Sequence, residues 1–261
     1  MKRLITIISF LFISLLVFAQ GPLKFLGIPI DGSESQFVSQ LRLKGYRYDS
    51  VSKSYKGQFN GQTVDVYVHT NHDLVDRVYV AFPRKSEQDI RIQFNNLLFQ
   101  FQETGKYLTL SINEEIPADE DISYEISIHN KRYSATFSYF DSDRDPSAFI
   151  DEMIEKFSDF YTEEQLATLK EYSQKSIDLS PEEAEDLRVQ VLEELQGMGV
   201  GQGVDAESDP IKAFQSFLTM LDKLRSLADG EVWFMIHEQY GRYNLGLYYD
   251  NLRNRPHGED L

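Results

Sequence analysis

The sequence predicts an α+β fold with antiparallel sheets and segregated helices. In several short stretches apolar and polar side chains alternate between turn residues, which is typical of half-buried strands. Other stretches carry apolar residues at helical spacing behind clear N-cap residues. Strands follow one another in runs, and so do helices, which favours this fold class over an alternating β–α–β order.

The first half of the chain is predicted as a helix, three strands and a second helix. Ser33 and Gln36 form a capping box that opens the first helix. The Asn60-Gly61 pair between two alternating stretches is a strong hairpin signal. Ser86 caps the second helix, which ends before Gly105. The predicted strands cover residues 55–59, 62–69 and 75–82.

The second half is predicted to begin with two strands, to continue with four helices and to end with a hairpin. A hairpin is not stable alone, so the last one is expected to pair with the earlier two strands and close a second sheet. The helix caps are Asp145, Thr162, Ser180 and Asp209, and the strands cover residues 122–128, 133–139, 232–238 and 242–249.

The chain is long enough for one large domain or two small ones. The predicted division gives a leader over residues 1–19, a helix–three-strand–helix lobe over residues 20–106, and an antiparallel sheet with four helices between two hairpins over residues 107–261. No linker rich in Pro, Gly or Ser marks the boundary near residue 106. Two lobes and one compact body are therefore both open.

The first 19 residues have the layout of a secretory signal peptide. Lys2 and Arg3 form a short basic start, an apolar run follows, and Val17 and Ala19 are the small residues before a cleavage site. The apolar run is shorter than the roughly 20 residues that span a bilayer. We therefore expect a periplasmic or secreted protein with no membrane span after cleavage.

Composition excludes several classes of function. The chain has no Cys, which excludes a lipoprotein anchor, disulfides, thiol catalysis and thiolate metal sites. It carries 26 Lys and Arg against 42 Asp and Glu, a formal net charge of −16. Such a surface repels phosphate backbones, so nucleic acid is not expected as a partner.

Two segments resemble known groups of proteins. The ending, with Tyr248-Tyr249-Asp250-Asn251 and Gly258-Glu259-Asp260-Leu261, resembles the C-termini of uncharacterised exported proteins from Bacteroidota. The element order of residues 33–102 resembles envelope domains of the SmpA/OmlA–BLIP type. The resemblances imply a lineage and a location outside the cytoplasm, and they imply no activity.

A candidate calcium site precedes the third predicted helix. Asp141, Asp143, Asp145 and Glu152 stand at positions 1, 3, 5 and 12 of a calcium loop. Pro146, however, occupies the position where such a loop needs Gly for its sharp turn. The alternative is that Asp145 simply caps a helix beginning at Pro146. No other cofactor is predicted.

Three further motifs have plain structural explanations. His69 and His72 lie near a turn and lack a third zinc ligand. The alternating glycines of residues 197–203 follow a predicted helix, whereas a phosphate loop precedes one, so a linker is expected. Acidic residues at 114–115 and 119–121 could serve glycoside hydrolysis, but such runs usually lie in exposed loops.

Tyr67 and Tyr79 are the candidate partner-binding residues. They lie on their strands opposite the valines that form the core face. An open face would present them to an envelope protein or a glycan, and a covering helix would make them core. The sequence therefore predicts a non-enzymatic binding protein of the bacterial envelope, with a carboxylate-based hydrolase acting on glycans or peptides as the alternative.

Overall fold

The computed structural model describes residues 21–141, 143–176 and 210–255, with isolated positions between 179 and 194. The described residues form an α+β fold, as the sequence predicts. The chain divides into two compact units. A sheet unit contains Pro22–Tyr139 and the chain from Ala228 onward, and a helical unit is formed by the described part of Phe140–Leu227.

The sheet unit is built on seven antiparallel strands, preceded by a separate small hairpin. Its elements are β1 (Lys24–Phe25), β2 (Ile28–Pro29), α1 (Glu34–Leu43), β3 (Arg47–Asp49), β4 (Ser54–Phe59), β5 (Gln62–Asn71), β6 (Leu74–Ala81), α2 (Glu87–Glu103), α3 (Ile122–His129), β7 (Ser134–Tyr139), β8 (Gly230–Gln239) and β9 (Arg242–Asn251). In the large sheet the strands follow the order β3-β4-β5-β6-β9-β8-β7.

One face of the sheet, the inner face, packs against α1 and α2. Val66, Val80 and Leu247 are register partners across β5, β6 and β9, and all three are fully buried. Phe94 of α2 meets Phe234 of β8 edge to face at 5.1 Å between ring centroids. Burying a side chain of this size contributes about 1.5–3 kcal/mol, so this layer is the main source of stability.

Local signals at the first helix and hairpin are confirmed. The Ser33 hydroxyl accepts a hydrogen bond from the Gln36 backbone N–H over 3.4 Å at the start of α1. Asn60 and Gly61 have φ values of 48° and 73°, as a two-residue hairpin turn with both central residues left-handed requires. Ser86 accepts from the Asp89 N–H over 3.2 Å at the start of α2.

The prediction of a strand over residues 122–128 was wrong, because this segment forms α3. The Asp121 carboxylate accepts from the Tyr124 N–H over 2.8 Å, and Asn130 ends the helix in the left-handed conformation with φ 52°. The final hairpin does pair with the Ser134–Tyr139 strand, as expected. It also pairs with β6, so there is one large sheet where a second sheet was expected.

The division of the chain differs from the expected boundary near residue 106. Strands from both sides of that position belong to the same sheet, and β9 joins β6 to β8. The segment after α2 continues along the sheet edge, where Leu108 and Ser138 exchange backbone hydrogen bonds of 2.9 Å. The units separate instead after Tyr139 and before Ala228.

The helical unit contains α4 (Pro146–Phe157), α5 (Glu163–Ser176) and α6 (Pro210–Arg225). Thr162 and Gln165 form the expected capping box, with bonds of 3.3 Å and 2.9 Å in the two directions. The leader, the glycine run and most of the predicted helix after Ser180 lie outside the described residues. In the described part of the chain, no helix combines the length and apolarity needed to cross a membrane.

Candidate functional site

The sheet face turned away from α1 and α2, here called the outer face, carries an aromatic row across four strands. Tyr67 of β5 is the register partner of Tyr79 of β6, Tyr79 of Tyr248 in β9, and Tyr248 of Trp233 in β8. All four side chains are half-buried. The structure thus brings the two predicted tyrosines together and adds Tyr248 and Trp233 to them.

The rings of the aromatic row stack on one another. Ring centroids are 5.4 Å apart for Tyr67 and Tyr79, 4.6 Å for Tyr79 and Tyr248, and 3.8 Å for Tyr248 and Trp233. The interplanar angles are 20°, 13° and 7° in the same order. Neighbouring rings therefore occupy each other's faces, and the row presents ring edges and hydroxyl groups.

Gly246 provides room for this stacking. A Cβ atom at this position would lie 3.0 Å from Tyr79 Cε2 and 3.1 Å from both Tyr248 Cε2 and His237 Nε2. The tyrosine rings therefore lean over a position that has no side chain. Burial raises the pKa of the Tyr79 and Tyr248 hydroxyls above 10.0 and lowers the pKa of His237 below 6.5. All three groups are neutral at physiological pH.

A buried carboxylate anchors the end of the row. Asp250 is fully buried and accepts from Arg77 Nε over 2.5 Å, from Arg77 Nη2 over 3.1 Å and from Trp233 Nε1 over 2.7 Å. Arg255 also donates to it. The Arg77 guanidinium lies 5.7 Å from the Tyr248 ring centroid and 5.9 Å from that of Trp233. The cluster thus fixes the indole at one end of the row.

The calcium candidate is not formed. Asp145 caps α4 by accepting from the Ser147 N–H over 3.0 Å, Asp141 accepts from the Asp143 N–H over 2.9 Å, and Glu152 pairs with Arg144. The described residues contain no group of three His, Cys, Asp or Glu side chains placed to hold a metal ion. Pro146 begins a helix where a calcium loop turns on Gly, which is the physical reason for this difference.

The two candidate zinc-binding histidines do not converge either. His69 Nδ1 lies 2.7 Å from Asp76 Oδ1 in a simple pair. His72 occupies the left-handed turn between β5 and β6, with φ 46°. The two side chains thus have separate surroundings, one paired with a carboxylate and one in a turn.

The carboxylates considered for hydrolysis partly converge on one polar cavity of about 280 Å³. Glu114, Glu115 and Glu120 line it together with Lys131 and Tyr133. Burial acts to raise the pKa of Glu120, but hydrogen bonds from Lys131 and Tyr133 outweigh it and hold the pKa below 4.5. Glycoside hydrolysis needs one carboxyl group as the proton donor and a second, ionised one as base or nucleophile, and a lowered pKa fits Glu120 only to the second role.

No protein-family model matches the chain, and comparisons with curated proteins and with solved structures likewise give no match. The resemblance to exported proteins of Bacteroidota stays a prediction. Any proposal for the function therefore depends on the geometry of the chain itself.

Trp233, Tyr248, Arg77 and Asp250 were not identified as site residues from the sequence. Trp233 stands in a run that is apolar on both sides, which hides the alternation that marks a strand face. Tyr248 stands between Leu247 and Tyr249 in β9, so its side chain points to the opposite face of the strand from theirs. The sequence shows this alternation but does not show which strand lies beside β9. The stacking of Tyr248 on Tyr79 depends on the β6–β9 pairing, which the sequence did not predict.

Proposed function

We propose that this protein is an exported, non-enzymatic binding protein whose outer face docks a protein partner in the bacterial envelope. The observation that carries the proposal is the aromatic row beside Arg77. Tyr, Trp and Arg are the residues most enriched among the energetic hot spots of protein interfaces. Here they lie together on one sheet face, and each is half-buried.

A protein partner fits this surface better than a glycan. Sugar rings bind to the free faces of aromatic side chains, and in the row neighbouring rings cover both faces of Tyr79 and Tyr248 and one face each of Tyr67 and Trp233. Edges and hydroxyl groups remain, and these suit apolar side chains and backbone amides. The stacking also fixes the rings before binding, which lowers the entropy lost in a complex.

The charge of the site indicates the chemistry of the partner. The exposed fractions of the Arg77 and Arg255 side chains are 36% and 35%. They remain partly accessible although they share the Asp250 carboxylate and the buried Glu231 lies opposite it, so they are the cationic groups that this face offers to a partner. We expect the partner to place an acidic side chain near these arginines and an apolar one against Tyr67 and Tyr79.

The proposal is tested by photo-crosslinking in cells that express the protein. A benzophenone amino acid replaces Tyr67, at the free end of the row, and in a control it replaces Tyr240, which is 91% exposed in the β8–β9 turn. We expect one protein adduct of defined mass at position 67 and none at position 240. Tyr67→Ala is then expected to weaken the isolated complex by about tenfold or more.

Two results would contradict the proposal. Equal adduct patterns at both positions would show that capture at the row is nonspecific. A polysaccharide adduct at position 67 would replace the protein partner with a glycan. Tyr240→Ala is the matched control for the Tyr67→Ala binding measurement, because the Tyr240 side chain is not part of the row and is almost fully exposed.

A further inference from the structure

A cavity of about 330 Å³ opens in the sheet unit between α2, the β4–β5 turn and the segment that follows α2. Its walls are mainly apolar, and its rim is polar. The apolar lining residues are Leu26, Phe59, Leu97, Phe101, Tyr107 and Tyr249. Small-molecule sites have this composition and begin at about 300 Å³. The cavity is thus large enough to be a site in its own right.

The walls are held in place by ring contacts. Phe101 lies 5.4 Å from Tyr107 and 6.5 Å from Tyr249 between centroids. At the mouth, Asn60 Nδ2 donates to Gln100 Oε1 over 3.1 Å and ties the β4–β5 turn to α2. An engineered apolar cavity of about 150 Å³ holds benzene, so this one has room for a flat bicyclic ring.

The Tyr249 hydroxyl is an unused hydrogen-bond donor at this cavity. The residue is 6% exposed and lines the cavity, and no described residue forms a hydrogen bond with its hydroxyl. Its oxygen is not among the fully buried polar atoms without a partner in the described residues, so the hydroxyl is accessible from the cavity. A ligand oxygen that accepts from Tyr249 would use a donor that no described protein group uses.

The mouth carries a positive charge. Lys106 is exposed at the rim, and its ammonium group has no ion-pair partner among the described residues. The other polar rim residues are Gln58, Asn60, Gln100 and Thr104, which are uncharged. The rim therefore attracts an anionic group, although the chain as a whole is acidic.

We infer that this cavity binds a small, flat, mostly apolar carboxylic acid of bicyclic size or an acyl group of similar volume. The apolar body lies among Phe59, Leu97 and Phe101, one oxygen accepts from Tyr249, and the anionic charge is favoured by Lys106. The site is independent of the outer face, because its apolar lining residues belong to the inner-face core or its margin.

The test uses two probes on the full-length protein, 2-naphthoate and the neutral 2-acetonaphthone, with binding followed by ligand-observed NMR and calorimetry. We expect both probes to bind, with naphthoate tighter. Gln100→Trp fills the mouth and is expected to weaken both probes at least tenfold. Gln102→Trp, an exposed position on α2 that does not line the cavity, is the matched control and is expected to bind like the wild type.

Two further variants separate the polar contacts. Lys106→Gln is expected to weaken naphthoate several-fold and to leave acetonaphthone unchanged. Tyr249→Phe is expected to weaken both, with Tyr240→Phe as the control. The inference is overturned if neither probe binds up to its solubility limit, or if Gln100→Trp and Gln102→Trp bind equally well.

Discussion

At the residue scale, Asp250 is the side chain on which the outer face most depends. It is fully buried and holds two arginines and the Trp233 indole at once. Glu231, also buried, is its direct register partner in β8. Two acids opposite each other repel, so the arginines are needed to keep this part of the sheet paired.

We predict that Asp250→Asn lowers the free energy of unfolding by about 3 kcal/mol, because two partly buried arginines lose their shared counter-charge. Urea denaturation followed by Trp233 fluorescence measures the change. Asp49→Asn is the control, since its pair with Lys56 lies at the surface and contributes little. Equal stability of the two variants would show that the cluster does not anchor the face.

Buried tyrosines make the stability depend on pH at the alkaline end. Burial raises the pKa of Tyr249 well above 10.0 and that of Tyr46 to about 12. The unfolded chain loses these protons near pH 10, before the folded chain does. This contribution to stability is therefore complete below pH 10 and is lost as the pH rises above it.

We expect phenolate absorbance from these tyrosines to appear together with the loss of circular dichroism in an alkaline titration. Tyr249→Phe should reduce the steepness with which the free energy of unfolding falls above pH 10. If phenolate forms fully while the dichroism is still native, these hydroxyls are accessible and the argument fails.

At the scale of elements, α3 shows where sequence patterns become ambiguous. Ile122, Tyr124, Ile126 and Ile128 alternate like a strand, yet residues four apart also share a helix face. Ile122 is buried and Ile126 half-buried, whereas Tyr124 and Ile128 are exposed. Both periods fit the same four residues, so the caps at Asp121 and Asn130 decide the outcome.

We predict that Asn130→Val lowers the free energy of unfolding by about 1–2 kcal/mol, because a β-branched residue adopts the left-handed conformation at a cost. Asn130→Gly is the matched control and should be at least as stable as the wild type, since Gly tolerates φ 52°. Urea denaturation measures both. A Val variant as stable as the Gly variant would mean that this cap does not limit α3.

The elements that were predicted correctly from the sequence are those whose signals act over a short stretch of chain. Caps and turns such as Ser33, Asn60-Gly61 and Thr162 with Gln165 act within a few residues, and these elements were predicted correctly. The pairing of β9 with β6 joins residues more than 150 positions apart, for example Tyr79 with Tyr248. Local patterns cannot predict such pairing, so half of the aromatic row was missed.

At the scale of the whole molecule, the helical unit is an insertion between two neighbouring strands. Tyr139 and Gly230 are register partners, and the Asp229 N–H donates to the Tyr139 carbonyl over 2.9 Å. The chain therefore leaves the sheet unit after Tyr139 and re-enters it at a neighbouring position on the adjacent strand. Unfolding of the intact chain is expected to depart from a two-state transition, because each unit has its own buried residues.

We predict that a variant with residues 140–227 replaced by Asn-Gly folds into the sheet unit alone. Circular dichroism and a single cooperative urea transition reported by Trp233 would measure this. Removing α2 instead takes away Phe94 and Leu97 from the core, and that variant is expected to remain unfolded. A sheet variant without a cooperative transition would show that the helical unit is required for folding.

The strand order also fixes when the protein can finish folding. β8 and β9 lie between β6 and β7 in the sheet, yet they follow both of these strands in the chain and are synthesised after them. Until residue 251 has emerged, β6 has one open side and β7 has no neighbouring strand. The seven-stranded sheet of the nascent chain therefore cannot close before its last two strands, β8 and β9, have been synthesised.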